Sequence, residues 1–395
     1  MQVNPRLLTI NESATVHIAD RIRELESKGQ KVIKLQSGDP DFVTPRAIIE
    51  AACSAMRSGL THYAASRGLP DLREAIGRKL KNENNVTYDP KTEILVTHGG
   101  VHAIFIAMSS LIGPGDEVLI IDPCWNPYVS STIIAGGKPV RVPTDPKNGF
   151  RVRADDLEEA VSERTKLLVV NSPANPSGVV LRKEELESIA ELANEHDLRV
   201  IADEVYERLI YDGHDHTSLA SLPHMVDRTI TVNSFSKTYA MTGWRIGYLA
   251  ADHELVDHIL KTSQYSITNV APFVQKGALA ALTDPSVEKS VKRMMMSYAE
   301  RRQSIIDALE SVEDIGVVIP QGAFYFMLDV SKADRDSKRF ANELLEKKHV
   351  GVVPGETFGV CAEGYVRITF AASNAQVLEG LSRLIRMVQG PSKTL

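Results

Sequence analysis

The sequence carries few features that would tie it to a membrane, a metal or an oxidising compartment. Its 395 residues include three cysteines, Cys53, Cys124 and Cys361, far apart and without a CxxC pair. That spacing argues against a disulfide framework or a cysteine-based zinc site and suits a reducing, cytoplasmic setting. No apolar run approaches the roughly 20 residues that a spanning helix needs. The opening residues Met1-Gln2-Val3-Asn4-Pro5-Arg6 lack a basic stretch followed by an apolar one, so no signal peptide is expected. Long basic runs are missing and the formal net charge is -6, which argues against nucleic acid or an anionic membrane as partner. The 11 histidines show no ligand cluster, and His214 and His216 read as a polar loop, so no metal is expected. Neither GxGxxG nor GxxxxGK[ST] is present, which disfavours dinucleotide and nucleoside triphosphate sites, and HExxH and GxSxG are missing too.

What is present is ordinary globular material, 43% hydrophobic and 24% charged. A chain this long exceeds a single core, so a large domain and a smaller one are expected. Ile18, Ile22 and Leu25 recur at helical spacing over 12–28, and Gly29 ends that helix. Val32–Leu35 reads as a short strand and the turn-rich segment from Ser37 to Pro45 as a loop. From about 93 to 250 short apolar strands (Ile94–Val96, Val118–Ile121, Leu167–Val170, Arg199–Ala202 and Thr229–Val232) alternate with helical segments. Near-continuous apolar strands separated by helices imply a mostly parallel sheet covered on both faces, an α/β fold. Beyond Pro285 a long helix precedes strands near 315–318, 323–328, 350–353 and 365–369 and a closing helix. This predicts a large domain over 46–285, and a smaller α+β domain from 1–45 and 286–395.

Ligands of open parallel sheets bind beyond the carboxyl ends of the strands. Residues able to do chemistry follow five of these strands: Gly99 and Gly100, Trp125, Asn175, Asp203, then Ser234, Ser236 and Lys237. A lysine at a strand end is usually a solvated charge. Beside a phosphate site it can instead have a lowered pKa and form an imine with an aldehyde. The Ser234 and Ser236 hydroxyls and the Arg245 guanidinium, within a dozen residues, favour that second reading. Gly99-Gly100 opens a helix where backbone N–H groups could approach an anion, though by itself it is a plain strand-to-helix turn. Asp203 either caps a turn or pairs with a protonated ring nitrogen, since an unpaired buried carboxylate is costly. Tyr206 and Asn175 could bond a phenolic oxygen on such a ring, Trp125 could stack on its face, and Arg367 could fork onto a carboxylate. The plainer alternatives are a turn residue for Asn175, a core aromatic for Trp125 and a structural ion pair for Arg367.

The run Ser234-Phe235-Ser236-Lys237-Thr238-Tyr239-Ala240-Met241-Thr242-Gly243-Trp244-Arg245-Ile246-Gly247-Tyr248 resembles the signature of class I/II pyridoxal-phosphate aminotransferases of fold type I. Ser37 to Phe42, Tyr63, Asn171 to Gly178, Asp203 to Tyr206, Gly322 to Tyr325 and Val353-Pro354-Gly355 fall in the family's order, and the aspartate/aromatic branch is the most similar. The resemblance implies pyridoxal 5'-phosphate held by Lys237 as a Schiff base, with Lys237 then acting as base and acid. It implies Asp203 on the pyridine nitrogen, Tyr206 and Asn175 on the phenolic oxygen, and Trp125 on the ring. Ser234, Ser236, Arg245, Gly99, Gly100 and Val101 would surround the phosphate. Tyr63 would reach the neighbouring subunit's phosphate, which makes a homodimer with shared sites. Arg367, Asn175, Gly38 and Thr15 would contact substrate. Transfer of an amino group between an L-amino acid and a 2-oxo acid such as 2-oxoglutarate is the expected reaction. Val101 stands where many members of the branch have Lys or Gln, which tilts the expectation from aspartate toward a neutral, aromatic or unusual amino acid. Other chemistry on the same scaffold (β-elimination, cyclisation, oxidative deamination) remains an alternative. A non-catalytic effector-binding domain is disfavoured, because the family pattern begins by Ser13 and leaves no room for a DNA-binding segment.

Overall fold

The computed structural model describes residues 4–10 and 14–390, apart from the side chains of Ala14 and Thr15. Its centre is a seven-stranded sheet in the spatial order Ile94–Thr97, Gly247–Ala250, Thr229–Ser234, Arg199–Asp203, Thr165–Asn171, Glu117–Asp122, Lys138–Pro143. Gly247–Ala250 runs antiparallel to both neighbours; every other pairing is parallel. Two reversals therefore leave Ile94–Thr97 pointing the same way as the parallel strands, so six carboxyl ends share one rim. Ile94–Thr97, Thr229–Ser234 and Gly247–Ala250 are buried along their whole length. Helices cover both faces of such a sheet, which explains why these strands read as continuous apolar runs. One apolar cluster joins Ile104 and Met108 to Val118, Leu167 and Ile230, and another joins Leu168 and Val200 to Leu186 and Ile189 on the helix Lys183–Glu195.

The five strands anticipated for this sheet are all present, each extended by one to three residues. Two strands of this sheet were not anticipated. Lys138–Pro143 mixes Pro139, Arg141 and Pro143 with valine, as an edge strand can. Gly247–Ala250 is four residues long and lies inside the signature run. The expected 12–28 helix is observed as Ala14–Ser27.

A smaller antiparallel sheet follows in the order Val353–Pro354, Tyr365–Thr369, Tyr325–Asp329, Gly316–Val318. The single strand expected near 350–353 is divided. Val350–Gly351 pairs in parallel with Ile33–Lys34, while Val353–Pro354 pairs with Arg367 and Val366. The helix Pro285–Leu309 is capped by Asp284, whose carboxylate accepts from Ser286 N–H, and packs against the closing helix Asn374–Gln389. The N-terminal segment is stitched to this part of the chain: Thr369 N–H donates to the Leu35 carbonyl at 2.9 Å. Residue 367 sits mid-strand opposite Met327 and Val353, so its side chain is held on both flanks. Among the described residues no helix is long and apolar enough to cross a membrane.

Candidate active site

At the shared rim lies a cavity of about 580 Å³. Its walls include Gly38, Gly100, Val101, Trp125, Asn175, Asp203, Tyr206, Ser234, Ser236, Lys237, Arg245 and Arg367, which brings together nearly all the residues singled out from sequence. The strand ends deliver them. Asp203 and Ser234 are the last residues of their strands, and Lys237 lies three residues beyond Ser234.

Lys237 is partly covered, and its ammonium donates to the Gly38 carbonyl at 2.6 Å. Burial lowers its pKa from 10.5 to about 8, against the attraction of Asp39. About a tenth of this amine is therefore neutral, and nucleophilic, at pH 7. Asp203 is buried, and burial raises its carboxyl to about 6. Two donors oppose that rise: the Tyr128 hydroxyl at 2.6 Å and the Val205 N–H at 3.2 Å. The carboxylate is thus ionised at neutral pH although it is sealed in the protein.

A second corner is built for an anion. The Ser234 hydroxyl bonds the Ser236 hydroxyl at 2.9 Å and accepts from the Ser236 N–H at 3.1 Å. Arg245 adopts a left-handed backbone (φ 51°), and its guanidinium donates to the Thr242 carbonyl at 2.7 Å. The helix Gly99–Leu111 begins here, with Gly99 at φ +78°. A Cβ on Gly99 would lie 2.8 Å from Arg245 Nη2, so only glycine leaves this corner open. Serine hydroxyls, a guanidinium and a helix N-terminus around one space are a donor set for phosphate.

On the opposite side Arg367 is buried. Its Nη1 donates to Asn175 Oδ1 and its Nη2 to the Gln36 carbonyl, both at 2.8 Å. The guanidinium lies 4.3 Å from the Tyr325 ring centre and 4.8 Å from that of Phe358. Its Nε is buried without a partner. Burial lowers the pKa of this group without neutralising it. A buried cation that lines the cavity and is bonded to an amide and a carbonyl but to no acid calls for an anion, and a planar fork suits a carboxylate. With its Oδ1 occupied, Asn175 keeps its amide N–H₂ for donation. The Tyr206 hydroxyl bonds that of Tyr325 at 3.0 Å, and burial pushes the Tyr206 phenol up, so it stays protonated.

Sequence reasoning missed several of these residues. Tyr128 sits on the helix Pro127–Ala135, which starts just past the strand Glu117–Asp122, and its edge packs on Trp125. A phenol one turn beyond a rim tryptophan was the available signal. Tyr325 was quoted as part of a motif but given no task, and Gln36 acts through a main-chain carbonyl that side-chain chemistry does not announce. His216 does lie in a loop, but its side chain is largely covered, with its Nε2 3.2 Å from Glu204. Tyr63 is 89% exposed and does not line the cavity. The side chain of Thr15 lies outside the described residues; its neighbour Val16 lines the cavity.

The pattern of the family described as aminotransferase class I and II matches residues 30–384. The chain is 43% identical over 389 residues to an aspartate aminotransferase of Pyrococcus abyssi, covering 98% of this chain and 99% of that protein. It is 40% identical to aromatic-amino-acid aminotransferase 2 of Thermococcus litoralis, covering 98% and 99%. It superimposes on the aspartate aminotransferase of Thermus thermophilus with maleate at a TM-score of 0.93, with 38% identity, covering 98% of this chain and all of the other. The chain belongs to the class I and II aminotransferases, with the fold type I architecture, and is an enzyme of amino-group transfer.

Proposed function

We propose that the cavity holds pyridoxal 5'-phosphate and moves an amino group between an L-amino acid and a 2-oxo acid such as 2-oxoglutarate. One observation carries the reading: a nucleophilic amine, an ionised buried carboxylate, a phosphate corner and a buried guanidinium bonded to no acid all line one cavity. When bound, the cofactor supplies an aldehyde that takes up the amino group and a ring that accommodates the electron pair left at the substrate Cα.

The chain's own residues do the rest. The Lys237 amine would hold the cofactor's aldehyde carbon and, when free, would take the proton from the substrate Cα and deliver it to that carbon. Asp203 keeps the ring nitrogen protonated, and Tyr128 keeps Asp203 ionised. Tyr206 and the Asn175 amide donate to the phenolic oxygen, and Trp125 covers the ring. Ser234, Ser236, Arg245 and the backbone of Gly99, Gly100 and Val101 hold the phosphate. Arg367 takes the substrate carboxylate with Asn175 and the Gly38 backbone, and Thr15 is assigned to the same substrate site.

Val101, 43% exposed at the cavity rim, supports a neutral, aromatic or unusual donor over aspartate. Relatives named for aspartate and for aromatic amino acids span both choices. The exposed aromatics Tyr63 and Tyr265 support a homodimer in which Tyr63 completes the neighbouring subunit's phosphate corner. The two sheets support a large domain over 46–285 and a small domain over 1–45 and 286–395. Three free thiols suit the cytoplasm. The test is a half-reaction screen. The cofactor-loaded chain is mixed with single amino acids, and loss of its visible absorbance is followed together with release of the matching oxo acid. A true donor yields both in equal amounts. Turnover without stoichiometric oxo acid would replace transfer by another chemistry.

A further inference from the structure

A cluster outside the pocket wall bears on how the pocket is kept in shape. Arg141 stands on the edge strand Lys138–Pro143 and Asp122 ends the adjacent strand. Arg141 Nε lies 2.7 Å from Asp122 Oδ2, and its Nη2 donates to Asp122 Oδ1 at 2.9 Å. The same Nη2 donates to the Phe358 carbonyl at 2.6 Å, and that carbonyl also accepts the Cys124 N–H at 2.8 Å. The next residue, Gly359, runs so close that a Cβ there would lie 2.6 Å from Asp122 Oδ2. One guanidinium therefore fastens a loop next to the smaller sheet onto the rim of the large one.

The cargo of that loop is functional. Thr357 and Phe358 both line the 580 Å³ cavity, and the Phe358 ring lies against the Arg367 guanidinium. On the other side of the fastening, Cys124 directly precedes Trp125, another cavity wall. An exposed ion pair would contribute little. Here about a third of the Arg141 side chain is open, but Asp122 is 1% exposed, so its charge depends on Arg141, and Arg141 in turn is bonded to the loop.

We propose that Arg141 is a positioning residue for substrate binding. Clamped on Asp122, it holds the Phe358 carbonyl, and through Phe358 it keeps Arg367 covered and oriented toward the substrate carboxylate. Without the clamp the loop from Gly355 to Ala362 opens more often, and the carboxylate binds a less ordered site. The proposal rests on the reading that Arg367 takes that carboxylate.

The experiment compares cofactor-loaded wild type, Arg141→Met, Arg141→Lys and Arg367→Lys, all in a Cys53→Ser background. Steady-state kinetics with 2-oxoglutarate as acceptor are combined with the rate at which a maleimide labels Cys361, which sits on the loop. Arg141→Met should raise KM about tenfold, the size of one charge-assisted hydrogen bond, with kcat within about threefold. Cys361 should label several times faster, and Arg141→Lys, which still carries donors for Asp122 and Phe358, should recover most of both. An unchanged KM in Arg141→Met beside a raised KM in Arg367→Lys overturns the clamp and spares the carboxylate reading. An unchanged KM in Arg367→Lys overturns the carboxylate reading itself. A fall in kcat alone, with Cys361 labelling unchanged, shows a merely structural role and also overturns the clamp.

Discussion

Replacing Lys237 by methionine should make the cofactor-free chain more stable at pH 7, although it removes the residue assigned to the chemistry. The lowering of the Lys237 pKa from 10.5 to about 8 has burial as its first cause. In free energy it corresponds to about 3 kcal/mol against the charged form. The side chain is partly open to the cavity, which screens it, and its ammonium satisfies the Gly38 carbonyl, so about 1–2 kcal/mol should survive as a net gain. The sign follows from linkage. The native pKa is depressed, so the unfolded chain binds the proton more readily between about pH 8 and 10.5, and wild-type stability rises over that window. The advantage of Lys237→Met is therefore full below pH 8 and fades toward pH 10.5. Urea unfolding of both cofactor-free chains at one protomer concentration, followed by the fluorescence of Trp125 and Trp244, measures it. A variant no more stable than wild type at pH 7, or an advantage that does not shrink above pH 8, would refute the reasoning.

Three other outcomes follow from the geometry. Tyr128→Phe removes the 2.6 Å bond to Asp203 and should weaken pyridoxal phosphate binding by about 10–100-fold, the range for a hydrogen bond to a charged group; an unchanged Kd in a fluorescence titration would take Tyr128 out of the account. Gly99→Ala places a methyl against Arg245 in a left-handed backbone and should weaken the same binding at least about tenfold while lowering stability by about 1–2 kcal/mol. Lys79 and Glu207 form a buried ion pair behind the Asp203–Tyr206 turn, so Lys79→Met should destabilise the chain by about 3–5 kcal/mol in urea unfolding; a loss below about 1 kcal/mol would show that Asn84 and His216 suffice for Glu207.

The parallel sheet was legible because both faces are covered, which writes each strand as an apolar run with its functional residue one to five positions beyond the end. Lys237, Asp203 and the two serines could be placed in that way. The edge strand Lys138–Pro143 was not legible, because one open side tolerates prolines and charges that normally argue against a strand. Tyr128 was hidden for another reason. Its role depends on a helix returning it over a strand two positions away in the sheet, a juxtaposition that linear spacing does not encode. Arg367 read ambiguously, as a structural ion pair or a carboxylate fork. The structure pairs it with an amide and a carbonyl instead of an acid, and leaves its Nε without a partner. His216 was misread because loop composition reports polarity, while Glu204 and Glu207 draw it into a charged network.

The most direct test of the central claim is chemical. The chain loaded with pyridoxal phosphate is reduced with borohydride, which fixes an amine–aldehyde linkage, then digested and mapped by mass spectrometry. The account predicts the cofactor's added mass on Lys237 alone, with loss of activity in step with labelling. Stable labelling of another lysine, or activity that persists once Lys237 is fully modified, would contradict it.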